Sequence, residues 1–171
     1  MVHSNSLAHT FIIGLLLAAL SGCEGYAVSV NDNPVYNPPA LFTEFRLVDS
    51  ALQECVQQTI EDRGVTDANQ LTQLNCSSAG IESLEGISTF SALRAISLNS
   101  NALTDIEPLK TLSRLEILML KDNDVRSAEP LLSLLRLKEL DLRGNAQLAC
   151  GDARQLADHS EGDIRLPAHC E

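Results

Sequence analysis

Residues 93–136 decide the fold: LRAISLNSNALTDIEPLKTLSR (Leu93–Arg114) runs straight into LEILMLKDNDVRSAEPLLSLLR (Leu115–Arg136). Laid over one another, these two 22-residue segments agree at their aliphatic positions, at one Asn and at a Glu-Pro-Leu triplet. A further copy begins LKELDLRGNAQL at Leu137, and a degenerate first copy, LTQLNCSSAGIESLEGISTF, begins at Leu71. Self-similarity at a fixed period of this length signals stacked units, each burying its apolar side chains only against its neighbours. Two columns of equivalent positions, Leu74, Ile96, Leu118, Leu140 and Cys76, Leu98, Leu120, Leu142, lie two residues apart in every copy. That spacing predicts a short strand with one buried face per unit.

The consensus L-x-x-L-x-L-x-x-N-x-L resembles the leucine-rich-repeat signature. The 22-residue period, with Pro108 and Pro130 in the Glu-Pro-Leu segments, resembles internalin-type bacterial repeats, over about residues 49 to 170. The resemblance implies an α/β repeat: a short leucine-rich-repeat solenoid with a parallel concave sheet and a convex side of 3₁₀ and irregular turns. Asn101, Asn123 and Asn145 fall in the turn after each strand, where a short amide can hydrogen-bond the backbone of neighbouring coils that would otherwise be buried unpaired. We read them as a structural ladder. The first unit carries Ala79 at that slot, as suits a terminal repeat.

Working outward, Asp49-SALQECVQQTIEDR-Gly64 has the marks of an amphipathic capping helix. Asp49 is its candidate N-cap, Leu52, Cys55, Val56 and Ile60 make the buried stripe, and Gly64 is the stop. Such a helix would cover the first coil and bring Cys55 against the core slot held by Cys76. At the other end Cys150 closes the last repeat and Cys170 ends the tail GDARQLADHSEGDIRLPAHCE. Four cysteines allow three connectivities, and this placement favours Cys55–Cys76 with Cys150–Cys170. Each bridge closes a loop of about 20 residues and is worth roughly 3 kcal/mol in the chain-entropy model. An oxidising, exported location is coherent with both. A metal site built from Cys150, His159, His169 and Cys170 matches no compact zinc spacing, so neither a metal nor a cofactor is expected.

Upstream, the apolar run Phe11–Leu20 (FIIGLLLAAL) is too short to span a bilayer, which takes about 20 residues, and fits the h-region of a secretory signal. Leu20-Ser21-Gly22-Cys23 resembles the lipobox of bacterial lipoproteins, in which the Cys is alkylated with diacylglycerol, the signal is cut before it and the new N-terminus is acylated. The leading segment MVHSNSLAHT departs from that pattern in having no Lys or Arg. Glu24, in place of the Asp that resembles an inner-membrane retention signal, favours the outer membrane. The organisation that follows is a signal peptide over 1–22, an extended tether over 23–40 and an N-terminal cap over 41–70. Repeats over 71–149 and a C-terminal cap over 150–171 complete it.

Composition is consistent with this layout. Hydrophobic residues make up 44% of the chain, yet aromatics reach only 4% and Trp is absent, so the core must be aliphatic. The formal net charge is −11, and every charged residue lies after position 23. An acidic domain of this kind is repelled by nucleic acid and by anionic head groups. There is no G-x-S-x-G elbow, phosphate loop or H-E-x-x-H helix, so no catalysis is expected.

The outward strand positions should form the concave face on which leucine-rich repeats usually bind partners. In order these are Gln73, Ala95, Ile117 and Glu139, then Asn75, Ser97, Met119 and Asp141, then Ser77, Asn99, Lys121 and Arg143. Ile117 and Met119 beside Lys121, Glu139, Asp141 and Arg143 make the candidate contact patch. Four strands give a face only ~20 Å wide. The expected function is a monomeric, non-enzymatic, protein-binding module of the cell envelope. The alternative is an envelope spacer with no concave ligand.

Overall fold

The computed structural model describes residues 28–30, 33–36 and 39–171. The chain divides into two units, 1–39 and 40–171. In the first, β1 (Val28–Val30) and β2 (Asn33–Tyr36) pair antiparallel, with Val28 opposite Tyr36 and Val30 opposite Asn33. Both strands lie within the segment read as an extended tether. β-Branched residues on either side of Asn31-Asp32 carry a strand-turn-strand signal that the neighbouring prolines obscured. The signal peptide, Cys23 and tether residues 24–27, 31–32 and 37–38 lie outside the described residues. No helix among the described residues is long and apolar enough to cross a membrane.

The second unit is a leucine-rich-repeat solenoid. Its strands β3 (Gln73–Asn75), β4 (Ala95–Ser97), β5 (Ile117–Met119), β6 (Glu139–Asp141) and β7 (Asp163–Arg165) form one parallel sheet in chain order. Registers follow the repeat, with Leu74, Ile96, Leu118, Leu140 and Ile164 side by side. The inward columns named above are all buried. Returning chain on the convex side is 3₁₀ at Ile87–Phe90, Glu107–Thr111 and Glu129–Ser133, with Pro108 and Pro130 in the first turn, where a missing N–H costs nothing.

Each coil turns back through a left-handed residue just before the asparagine slot. Ser78, Ser100, Asp122 and Gly144 have φ of 57°, 56°, 55° and 80°. The N–H groups of Ser78, Ser100 and Asp122 donate to Asn99, Lys121 and Arg143 carbonyls of the next coil, each at 2.8 Å. The asparagines then close the turns. Asn123 donates from Nδ2 to the Leu98 and Leu120 carbonyls and accepts from the Leu103 N–H. Asn101 and Asn145 repeat the arrangement one coil earlier and later.

Helix α1 (Ser50–Arg63) caps the first coil, burying Leu52, Val56 and Ile60. Gly64 stops it in the left-handed conformation at φ 61°, as a residue without a Cβ allows. Cys55 is half-buried and bonded to Cys76. Phe42 and Phe45 stack at 5.8 Å and both meet the buried Phe90 edge-on, so these three phenylalanines gather under this cap. Phe90 occupies the slot that Leu112 and Leu134 hold in later coils.

Asp49 does more than cap α1. One carboxylate oxygen accepts from the Ala51 and Leu52 N–H groups, and the other accepts from Glu82 and Ser83, at 2.8 and 3.1 Å. The residue thereby ties the cap to the first convex turn. Burial pushes its carboxyl up, but the N–H groups of Glu82, Leu52, Ser83 and Ala51 together outweigh burial and hold it below the usual carboxylate range. Asp49→Ala is expected to cost about 2 kcal/mol at neutral pH, more than an ordinary cap, because two further donors lose their acceptor. A depressed folded-state value means that this contribution is present above the unfolded carboxyl value and vanishes as pH falls through the folded one. Urea midpoints of wild type and variant should therefore differ at pH 7 and converge in acid. A gap that persists unchanged into acid would refute the assignment.

The C-terminal cap is α2 (Cys150–His159), which takes the place of a 3₁₀ turn, followed by β7 and a 3₁₀ turn at Ala168–Cys170. Cys150 is bonded to Cys170, and Arg154 Nε donates to the Cys170 carbonyl at 2.9 Å. The tail thus supplies a fifth coil where four strands were expected. Its Ile164 and buried Leu166 keep the aliphatic spacing of the earlier strands, but the longer α2 connection sets them 24 residues after Leu140 and Leu142, off the 22-residue register of the sequence.

Candidate concave interface

Parallel registers turn the outward positions into three rows. Gln73, Ala95, Ile117, Glu139 and Asp163 form the first, and Asn75, Ser97, Met119, Asp141 and Arg165 the second. Ser77, Asn99, Lys121 and Arg143 follow the strands as the third. With five strands the face is ~24 Å wide, wider than the four expected.

The β3–β4 half is polar and bonded to itself. Ser77 Oγ and Ser97 Oγ are 2.8 Å apart, and Asn75 Oδ1 accepts from Ser77 Oγ at 2.9 Å. Asn99 Oδ1 accepts the Lys121 N–H at 2.9 Å, which stitches this half to the next coil. These groups spend their hydrogen-bonding capacity on one another, which lowers what they can offer a partner.

The β6–β7 half is charged and largely self-paired. Arg143 folds back to donate from Nε and Nη2 to the two carboxylate oxygens of Asp141 at 2.9 and 2.5 Å. Asp141 is only 4% exposed. Burial pushes its carboxyl up, but Arg143 and, more weakly, Arg165 outweigh burial and hold it below the usual range. Of the six residues nominated from the sequence, Asp141 therefore offers a partner the least. β7 stands where solvent was expected, and Arg143 covers what remains. Arg165 pairs with Asp163 and lies 3.7 Å from Glu139, while Lys121 Nζ lies 3.3 Å from Asp122.

Between these halves sit Ile117 and Met119 on β5. Ile117 is 37% exposed and Met119 half-buried. They are the apolar centre of a face whose flanks are polar and charged, as in an interface with an apolar core and polar rim. Beyond the sheet, Arg94, Glu116 and Lys138 form a row of ion pairs across three coils, at 3.3 and 2.7 Å.

His169 and the two cysteines of the C-terminal cap converge but are engaged, and His159 lies apart from them. Cys150, His169 and Cys170 lie close enough to share a cation, yet the two sulfurs are bonded to each other and offer no thiolate. His169 Nε2 is 3.0 Å from the Leu148 carbonyl, and His159 Nδ1 is 2.8 Å from the Gln155 carbonyl. The first of these contacts ties the tail to the last repeat, and the second lies within α2.

The chain matches no protein-family model and no curated protein. It is similar to solved internalins. An internalin (inlF) from Listeria monocytogenes shares 29% identity over 56% of this chain and 30% of its own, with a TM-score of 0.52. An internalin C2 (inlC2) from the same species shares 27% identity over 59% of this chain and 47% of its own, with a TM-score of 0.53. This chain thus spans less than half of either neighbour.

Proposed function

We propose that this chain is a non-catalytic protein-binding module, held at a membrane of the bacterial cell envelope by lipid on Cys23, the outer membrane being favoured. One observation carries the binding half: Ile117 and Met119 lie side by side at the centre of an open parallel face on a fold shared with internalins. With no Tyr or Trp among the outward residues of this sheet, the interface is expected to be modest in affinity. Ile117→Asp with Met119→Asp should abolish recovery of the partner from envelope extracts while leaving the unfolding free energy from urea titration within about 1 kcal/mol of wild type, since neither residue is fully buried. Unchanged recovery would sink the concave site.

The self-paired charges of the β6–β7 half favour a second reading, an envelope spacer whose concave face is merely a closed surface. Under it, the same double variant would leave every captured protein unchanged.

The anchor rests on Leu20-Ser21-Gly22-Cys23. Several acyl chains, each buried CH₂ worth ~0.8 kcal/mol, would hold a soluble domain durably. Metabolic labelling with a radiolabelled fatty acid should mark the wild type and not Cys23→Ser. Equal labelling of both would refute lipidation there.

A further inference from the structure

The repeat makes departures visible, because every position has equivalents one coil away. Three departures fall together at the C-terminal end of the solenoid. The column Leu71, Leu93, Leu115 is fully buried, but its fourth member, Leu137, is only half-buried. Ser88 and Lys110 are followed in the next coil by Leu132, and Ser91 and Ser113 by Leu135. Leu135 is 93% exposed.

All three leucines open onto one groove of about 1000 Å³, between the turn around residues 131–138 and the far end of α2 with the loop into β7. Leu156 and Ile164, both half-buried, also line it. The groove exists because α2 replaces the convex turn of the last coil and leaves the fourth aliphatic column partly open. Its charges are equally specific. Glu116 and Lys138 neutralise one another at 2.7 Å, whereas Arg136 on one wall and Glu161 on the other have no ion-pair partner among the described residues.

The surface thus carries both halves of a contact: a protruding leucine beside an aliphatic hollow, and an unpaired cation across from an unpaired anion. A two-fold interface demands that self-complementarity, since residue i meets j and j meets i. A different protein would need only one half of each. We propose that this groove is a homodimer interface. Leu135 of one copy enters the hollow over Leu137, Leu156 and Ile164 of the other, and Arg136 faces the second copy's Glu161 twice. The contact is closed, so association stops at two, and it replaces the monomer expected from sequence. Because the groove adjoins Glu116 and Lys138 at the start of the concave strands, pairing would also present two concave faces together, where avidity can compensate for a weak individual site.

Density-matched sedimentation equilibrium of the detergent-solubilised full chain tests this. The wild type should pass from monomer to dimer over roughly 1 to 100 µM, a range suited to a small interface. Leu135→Asp, at a position too exposed to affect folding, should weaken association at least about tenfold. Arg136→Glu and Glu161→Arg should each weaken it, and the two together should restore it, which general surface damage would not do. A wild type that stays monomeric throughout overturns the proposal. So does a double charge swap no better than either single, or a monomer whose groove retains a different protein in a Leu135-dependent way.

Discussion

Replacing Asn145 by alanine is expected to destabilise the domain by about 3–4 kcal/mol, the largest effect of any single polar side chain in the solenoid. Asn145 is fully buried, and one amide serves two coils. Its Nδ2 donates to the Leu120 and Leu142 carbonyls at 2.9 and 2.8 Å, and its Oδ1 accepts the Val125 N–H at 3.0 Å. Alanine leaves that N–H and those carbonyls facing a space too dry to hydrate them, and each buried orphan costs roughly 1–3 kcal/mol. The half-buried Asn101 makes bonds of the same kind, but it closes the first turn beside the exposed Ala79, where water can substitute. Asn101→Ala should therefore cost about half as much. Urea unfolding with an unchanged m-value checks both, and equal small losses at the two positions would show that the ladder is not what holds the coils. Asn145→Asp should be at least as damaging as alanine, since it removes the donors and buries a charge.

Much of this was legible because the repeat prints the same physics several times over. Asn101, Asn123 and Asn145 recur at one slot, and that recurrence alone identified them as structural. The Asp49 and Gly64 punctuation bounded α1 as the structure has it, since both caps act through local backbone geometry. The second pair of bonds made by Asp49 was not legible, because Glu82 and Ser83 are more than thirty residues away and their N–H groups leave no mark in composition. β7 was missed because α2 lengthens the last connection, so Ile164 and Leu166 fall 24 residues after Leu140 and Leu142 and drop out of the 22-residue repeat. That omission propagated to the site. Without β7, Asp141 reads as an exposed contact residue; with Arg165 alongside and Arg143 over it, Asp141 is an internal counter-charge. Ile117 and Met119 were found from alternation, but that alternation says nothing about what they meet.

The second large effect concerns how the ends are kept from fraying. In a solenoid each coil contacts only its neighbours, so a terminal coil has half the support of an inner one. The N-terminal coil also lacks its own ladder asparagine, having Ala79 in its place. What holds α1 against it, beside the burial of Leu52, Val56 and Ile60, is the Cys55–Cys76 bridge, the Arg63 guanidinium donating to the Gln73 carbonyl at 3.1 Å, and the two bonds that Asp49 accepts from Glu82 and Ser83. Cys55→Ala with Cys76→Ala is expected to lower stability by about 3 kcal/mol, mostly through the freedom returned to the unfolded chain. Part of that loss is packing, because Cys76 fills the slot held by leucine in the next three coils. Cys55→Ala with Cys76→Leu separates the two contributions: if the link dominates, refilling the slot recovers about 1 kcal/mol or less. Native-state hydrogen exchange should then localise the damage. Protection is expected to fall first in α1 and β3, while β5 and β6, enclosed by coils on both sides, keep theirs. Uniform loss across all five strands would mean that the domain opens as one cooperative body, and the cap would then be an integral part of the core rather than a separately lockable end.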